Sequence, residues 1–232
     1  MKTKNQDLRI IFEDANLLIV DKPIGMLSHP DLKLHEIDLL TKLKDDHADA
    51  RNYAVTNRLD FNTSGLVIIG KNLNFIKELN KASIDNKIRK TYLCAVMGYF
   101  PYQEAILEAY LLKDSTQSKV RISETPVQNA QKILTKYTVL KELNNMCLVE
   151  VELLTGKTHQ IRAHLASVGH PLLGDPLYGF PTVNKKVGLK TQALCAYQLH
   201  FGDFSPTSPL SYLNGRSFKT GRVPFMHLFD SK

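Results

Sequence analysis

Residues Cys147 to Gly169 read CLVEVELLTGKTHQIRAHLASVG, and the two periods inside this stretch decide the fold class. Cys147, Val149, Val151 and Leu153 alternate with Glu150 and Glu152, the two-residue period of a strand with one buried face. From Thr158 the period changes. Ile161, Leu165 and Val168 stand at i, i+4 and i+7, which predicts a helix over 158–168 with Thr158 as N-cap and Gly169 as its stop.

Upstream, 104–154 reads as strands separated by turns, with Asn144-Asn145 as a hairpin tip. Farther back, Leu66 to Ile69 is a short apolar run between two glycines, sized for a buried strand. Asn72 opens a helix whose apolar positions are Phe75, Ile76, Leu79 and Ala82, and Thr91 to Val96 is the next strand. At the N-terminal end, Ile10 to Phe12 and Leu17 to Val20 flank the turn Glu13 to Asn16, giving strand, turn and strand. Ile37, Leu40 and Leu43 predict a short amphipathic helix, followed by a solvated charged stretch, Lys44 to Arg51. Pro181 to Lys190 and Ser205 to Ser211 read as surface loops. Strands dominate and helices intervene at intervals, so the expected class is α+β, a central mixed and mostly antiparallel β-sheet flanked by helices.

The bulk numbers are compatible with that. A chain of 232 residues with 43% hydrophobic and 23% charged residues can build a core without metal or disulfide staples. Its formal net charge of +7 suits a polyanionic partner. Cys94, Cys147 and Cys195 form no CxxC pair and are odd in number, which argues against a zinc site or disulfide framework and fits a reducing cytosol. No apolar h-region follows Met1 and no run is long enough to span a bilayer, so a soluble, cytoplasmic protein is expected.

Three segments carry candidate chemistry. In Asn57-Arg58-Leu59-Asp60-Phe61-Asn62-Thr63-Ser64-Gly65-Leu66, polar and turn-forming residues stand directly before a buried strand, a good mounting for a reactive group. Spacing alone leaves open a plain turn in which Arg58 pairs with Asp60. In Thr155-Gly156-Lys157-Thr158-His159-Gln160-Ile161-Arg162, polar side chains surround a helix start, where exposed amides and the macrodipole favour anions; Lys157, His159, Gln160 and Arg162 would add donors. The third segment, Gly169 to Gly179, holds three glycines and two prolines and must be a shaped loop, with His170 and Asp175 as turn residues before prolines. A metal site on these histidines fits poorly. His159 and His164 are five apart, about 140° around a helix, whereas shared zinc ligation needs i and i+4.

Taken together, the three segments closely resemble the RluA family of pseudouridine synthases, whose signatures are an HRLD-x-x-TSGL loop, a TGRTHQIR-x-H helix start and a GHPLLGDPLYG loop. The likeness extends to Glu13-Asp14, to Asp21-Lys22-Pro23-Ile24-Gly25 and to Lys90-Thr91-Tyr92, and so covers the chain from about Ile10 to Phe201. It implies an enzyme that isomerises selected uridines of tRNA or ribosomal RNA, a single catalytic domain over 1–232 with an RNA-binding cleft, and no cofactor. It further implies an RNA partner, no membrane, no required protein partner and a monomer.

Carried over by position, the resemblance makes Asp60 the catalytic nucleophile, Arg162 the arginine that pairs with it, and Tyr92 the aromatic that packs on the base and handles the proton at C5. Without the resemblance Tyr92 would pass as an ordinary strand aromatic. Arg58 resembles the arginine that fills the space left by a flipped-out uridine. Asn57 and Lys157 depart from the family, which usually has His and Arg there; the expected consequence is altered RNA affinity or target choice. The family's frequent N-terminal S4-type domain is expected to be absent. Two other readings are a non-catalytic RNA-binding protein, suggested by Asn57, and a metal-dependent nuclease built on His159, His164 and Asp175.

Overall fold

The computed structural model describes residues 8–31, 36–47, 50–114 and 119–230, and these form two compact units. The first comprises Met1–Lys90 and Ala196–Val223, the second Thr91–Cys195 and Pro224–Lys232. The chain passes from one to the other three times, twice inside a strand and once at 223/224.

In the first unit, β1 (Arg9–Glu13) and β2 (Leu17–Lys22) form the expected hairpin. Asp14 makes the turn, its Oδ1 accepting the N–H groups of Asn16 at 2.7 Å and Leu17 at 2.9 Å. Strand β2 is fully buried and pairs antiparallel with β4 (Ser64–Gly70), which also carries the two-residue β3 (Ala54–Val55). Burial on both faces explains why these runs are uninterrupted apolar sequence rather than alternating. Helix α2 (Leu73–Ile84) starts where expected, Asn72 accepting the Phe75 N–H at 2.9 Å, and it lays Phe75, Leu79 and Ala82 on Leu17, Ile19, Leu66 and Ile68. Strands β10 (Leu194–Phe201) and β11 (Ser217–Lys219) complete this core with Leu199, Phe201 and Phe218.

Helix α1 (Leu39–Asp46) begins later than the apolar spacing suggests. Asp38 caps it by accepting the Thr41 N–H at 2.9 Å, so its buried positions are Leu39 and Leu43, while Ile37 lies before the cap and is exposed. The charged stretch 44–51 falls partly outside the described residues.

In the second unit, β5 (Ile88–Met97), β9 (Met146–Leu153), β8 (Gln131–Leu143), β6 (Glu104–Lys113) and β7 (Val120–Ser123) lie side by side in that order, all antiparallel. Asn144 and Asn145 turn β8 into β9 with φ of 53° and 61°, the left-handed pair that a two-residue hairpin requires. Helix α3 (Gln160–Ser167) covers this sheet, Ala163 packing with Ala109, Leu111, Val120 and Ile133. A seven-residue helix, α4 (Pro181–Val187), replaces part of the expected loop after 180; it has Pro181 in its first turn and ends on Gly188 at φ 72°. Ser205–Ser211 is turn-rich as expected, anchored by buried Leu210. The α+β class and its mostly antiparallel sheet therefore stand.

Candidate functional site

Asp60 and Arg58 belong to the first unit; Tyr92, Lys157, His159, Gln160 and Arg162 belong to the second.

The Asp60 loop is fastened at each side. Asn57 enters it buried, its Nδ2 donating to the Leu66 carbonyl at 3.1 Å and its Oδ1 accepting the Ile68 N–H at 2.7 Å, so the side chain imitates a strand neighbour of β4. Arg58 is exposed and donates to His29 Nε2 at 3.0 Å. Leu59 is held by Ser28, whose hydroxyl accepts the Leu59 N–H at 2.9 Å and donates to the Leu59 carbonyl at 2.8 Å. Asp60 itself is half-buried and opens a turn in which the Thr63 N–H reaches its carbonyl at 3.0 Å. The Phe61 carbonyl accepts the Gly25 N–H at 2.9 Å. Two loops, 23–29 and 57–63, are thus laced together around the residue that the sequence singles out.

Beneath them lies Lys22, fully buried at the end of β2. Its ammonium donates to the carbonyls of Met26 at 2.8 Å, Pro23 at 3.0 Å and Phe61 at 3.4 Å. Burial pulls the Lys22 pKa down to about 7, opposed by the negative charge of Asp60.

In the second unit, the start of α3 differs from the expected cap. Thr158 lies outside the helix and the cap position is His159, held left-handed at φ 56° with no side-chain cap bond. A non-glycine residue there costs about 1 kcal/mol or more, strain of the kind kept at working sites. His159 Nδ1 lies 3.1 Å from the Tyr178 hydroxyl, which also accepts the Val120 N–H at 2.9 Å. Gln160 is buried and its amide is spent internally: Oε1 accepts the Lys157 N–H and the Thr155 hydroxyl at 3.0 Å each, and Nε2 donates to the Leu134 carbonyl and Thr135 Oγ1 at 3.0 Å each. The Lys157 side chain remains exposed.

Arg162, 4% exposed, is gripped by a carboxylate the sequence reading treated as a turn residue. Its Nε donates to Asp175 Oδ2 at 2.7 Å and its Nη2 to Oδ1 at 3.0 Å, while the guanidinium sits 5.3 Å over the Tyr178 ring. Asp175 Oδ1 also accepts the N–H groups of Leu177 and Tyr178. Burial by itself would raise the Asp175 pKa, but the bonds and charge of Arg162 together with those two amides outweigh it and hold the carboxyl below its ordinary range. Helix α4 steadies the same loop, Asn184 bridging the Gly174 N–H and the Asp175 carbonyl at 2.8 and 2.9 Å. Tyr92 is buried on β5, in register with Val151.

The residues of the metal reading each have a different partner: His159 meets Tyr178, Asp175 holds Arg162, and His164 Nδ1 lies 2.9 Å from Thr135 Oγ1, with burial pulling its pKa down to about 4. Among the described residues no group of three or more His, Cys, Asp or Glu is placed to hold a metal ion, and no helix is long and apolar enough to cross a membrane.

Sequence reasoning assigned no role to Lys22 or Tyr178, and took Asp175 for a turn residue or, in the nuclease reading, a metal ligand. For Lys22 a signal existed: it ends a run, Leu17 to Val20, that is apolar at every position, as in a strand buried on both faces, where a side chain of either parity is enclosed.

Comparison with known proteins supplies the context. Residues 16–167 match the family model described as RNA pseudouridylate synthase. A Mycoplasma genitalium protein named uncharacterized RNA pseudouridine synthase MG370 is 36% identical over 94% of this chain and 71% of its own length. The ribosomal large subunit pseudouridine synthase D of Nitrosomonas europaea is 34% identical over 83% of this chain, which spans 57% of that protein's length. In fold, the human RNA pseudouridylate synthase domain containing 1 superposes with a TM-score of 0.76 at 22% identity, over 97% of this chain and 86% of its own.

Proposed function

The chain belongs to the family of RNA pseudouridylate synthases, isomerases that act on RNA, and from that premise we propose that it converts uridines of ribosomal RNA into pseudouridine with Asp60 as the nucleophile. The observation that carries the reading is the anchored Asp60 loop within the matched region: Asp60 is half-buried, and the backbone on either side of it is held at Leu59 by Ser28 and at Phe61 by Gly25 and Lys22. The name of the Nitrosomonas relative supports ribosomal RNA as the target.

In this reading the target uridine leaves its stack, because a stacked base offers no face to a carboxylate. The Asp60 carboxylate forms a transient bond with the nucleotide, and the bond from C1′ to N1 breaks. The base turns, C1′ bonds to C5, the proton leaves C5, N1 gains one, and Asp60 is released. Atoms and electrons balance without an oxidant, so no cofactor enters. Tyr92 supplies a ring face and a phenol for the C5 proton, and Arg162 the guanidinium that steadies the carboxylate. Exposed Arg58 and Lys157 meet phosphates or fill the vacated stack, with His159 as a further donor. Gln160 acts indirectly, by shaping the loop before α3. Residues 1–232 serve as one catalytic domain, working as a monomer in the cytoplasm without a protein partner.

Asn57 in place of the family histidine does not favour a non-catalytic role, because its amide is occupied in tying the loop to β4. The test is to incubate wild type, Asp60→Ala and Asp60→Asn with ribosomal RNA and map pseudouridine by carbodiimide-based primer extension. Both variants should bind RNA and yield no product; product equal to wild type from either would end the nucleophile assignment.

A further inference from the structure

In the first unit, strand register gathers three cations that lie far apart in the chain. Arg9, on β1, stands opposite Asp21 of β2. The Asp21 carboxylate, buried, accepts the Thr220 hydroxyl at 2.6 Å, so the segment after β11 is pinned beside Arg9. Thr220 Oγ1 also accepts the Arg222 N–H at 3.0 Å, which curls the chain at Gly221. A Cβ on Gly221 would lie 3.7 Å from Arg9 Nη1, so the guanidinium rests against that bend. On the other side of Thr220, the Lys219 ammonium lies 5.6 Å over the ring of Tyr197, whose carbonyl accepts the Thr220 N–H at 3.0 Å. Arg9, Lys219 and Arg222 are all exposed.

We infer that Arg9, Lys219 and Arg222 form a phosphate-contact surface that grips the RNA strand beside the target uridine. The inference rests on the reading of the chain as an enzyme that modifies RNA at Asp60. Charge and place carry it. The carboxylate at the centre of the group, Asp21, is turned inward and engaged by Thr220, whereas the three cations reach solvent. Two guanidiniums can each meet a phosphate through a fork of N–H groups, and the ammonium adds a point charge. As for place, Asp21 directly precedes Lys22, which bonds the Phe61 carbonyl, and Leu66, opposite Asp21, lies on the strand that the Asp60 loop leads into. The surface therefore stands at the same end of β2 as the Asp60 loop. An edge strand gains from a cation that keeps other strands from pairing, and β1 is such a strand. That reason covers Arg9 but not Arg222, which lies past β11 on no strand, on a bend that Thr220 fixes through a buried bond.

The test compares wild type with two triple variants. One is Arg9→Gln, Lys219→Gln and Arg222→Gln. The other removes the same charge elsewhere in the unit, from the exposed Lys77, Lys81 and Lys87 on and after α2, each changed to Gln. Binding to ribosomal RNA is measured by filter retention across a salt series, and single-turnover pseudouridine formation across enzyme concentrations. The first variant should bind roughly 30-fold more weakly, with the slope of log affinity against log salt shallower by about 2 and the saturating rate within about 3-fold of wild type. Each of its single substitutions should lower the slope by about 0.7. The α2 variant should stay within about 3-fold of wild-type affinity, because exposed charges away from the RNA are screened.

Unchanged affinity and slope in the first variant, an equal loss in the α2 variant, or a saturating rate that falls as far as affinity does would each overturn the inference and leave the Asp60 assignment intact. Wild type that binds ribosomal RNA without forming pseudouridine would sink the reading of the reaction, while the binding comparison would still judge the surface.

Discussion

Arg162 and Asp175 face each other as a two-point ion pair almost without solvent, with N···O distances of 2.7 and 3.0 Å and exposures of 4% and 0%. Such a pair contributes little net stability when complete, yet losing one partner strands a buried charge. Asp175→Asn keeps the shape and, through Oδ1, the acceptor for the Leu177 and Tyr178 amides, but it removes the charge and turns an amide NH2 toward the Arg162 Nε–H. We expect a loss of about 3 to 5 kcal/mol in urea unfolding and a fall in turnover, because the guanidinium loses its fixed direction. Unchanged stability would mean that Arg162 is satisfied without this carboxylate.

Gly65, directly after the Asp60 loop, tests how tightly the reactive loop is tied to the sheet. Its φ is 109°, and a Cβ there would sit 2.2 Å from the Ala196 carbonyl oxygen, a backbone atom that cannot step aside. Gly65→Ala should cost roughly 3 kcal/mol or more, read as a lowered melting temperature, and should impair catalysis beyond the change in stability. A fully stable, active variant would show that β4 and β10 can separate locally at no cost.

Arg58 and His29 form an exposed pair whose geometry constrains the arginine. His29 Nδ1 lies 2.9 Å from the Pro30 carbonyl and so carries its proton there, leaving Nε2 to accept from Arg58. If Arg58 neutralises a phosphate, Arg58→Ala should weaken RNA binding and reduce the slope of log affinity against log salt by about 1. His29→Phe should weaken binding less and leave the slope unaltered, since only the aim of the guanidinium is lost. Salt titrations of the three proteins decide it.

Most of the architecture was legible because burial imposes a period. β9 buries Cys147, Val149 and Val151 and α2 buries Phe75, Leu79 and Ala82 as their patterns predict, with Leu153 and Ile76 half-buried, and Asn144-Asn145 marks its own turn. Where the period says nothing, reading failed. Helix α4 has no buried residue and exists because Asn184 grips the Gly174–Asp175 backbone, a tertiary cause without a local trace. The start of α3 was misplaced because a left-handed histidine is not a capping pattern, and Gln160 closes the preceding loop from inside the helix. At the candidate site, 57–66 was legible as a polar loop before a buried strand, while the role given to Asp60 came from the resemblance alone. Lys22 was not legible, because a lysine at the end of an apolar run reads as solvated although β2 is buried on both faces, and the partner of Arg162 lies 13 residues away across a loop of irregular backbone.

His164 should make the protein sensitive to acid. Burial holds its pKa near 4 in the fold against an ordinary 6.5, and Nδ1 faces the Thr135 hydroxyl, whose oxygen already accepts from Gln160. Below pH 4 both folded and unfolded chains carry the proton; between 4 and 6.5 only the unfolded chain does, so this contribution is complete above 6.5 and is lost as the pH falls. Over that window the group accounts for roughly 2 to 3 kcal/mol. Urea unfolding at pH 7 and pH 4.5 should show the drop in wild type and a shallower one in His164→Asn; parallel drops would assign acid sensitivity to other groups.

Asn57 stands where the resemblance leads one to expect histidine, and the structure gives it a task that an amide performs with both ends. With 9% of its surface exposed, it donates to the Leu66 carbonyl and accepts the Ile68 N–H, so it must lie flat against β4 with its nitrogen and oxygen in fixed order. Asn57→Ala orphans one buried donor and one buried acceptor and should cost about 2 to 4 kcal/mol, with turnover falling because Arg58 and Asp60 hang from the same segment. Asn57→Asp keeps the acceptor for Ile68 but turns a carboxylate oxygen toward the Leu66 carbonyl, and should be at least as damaging near neutral pH. Asn57→His can offer one ring nitrogen as donor and the other as acceptor, and so should recover most of the stability lost in Asn57→Ala. Urea unfolding combined with pseudouridine mapping separates the outcomes: a histidine variant as unstable as alanine would mean that the amide is specific to this chain's β4 geometry, whereas a stable but altered target profile would tie position 57 to the choice of uridine.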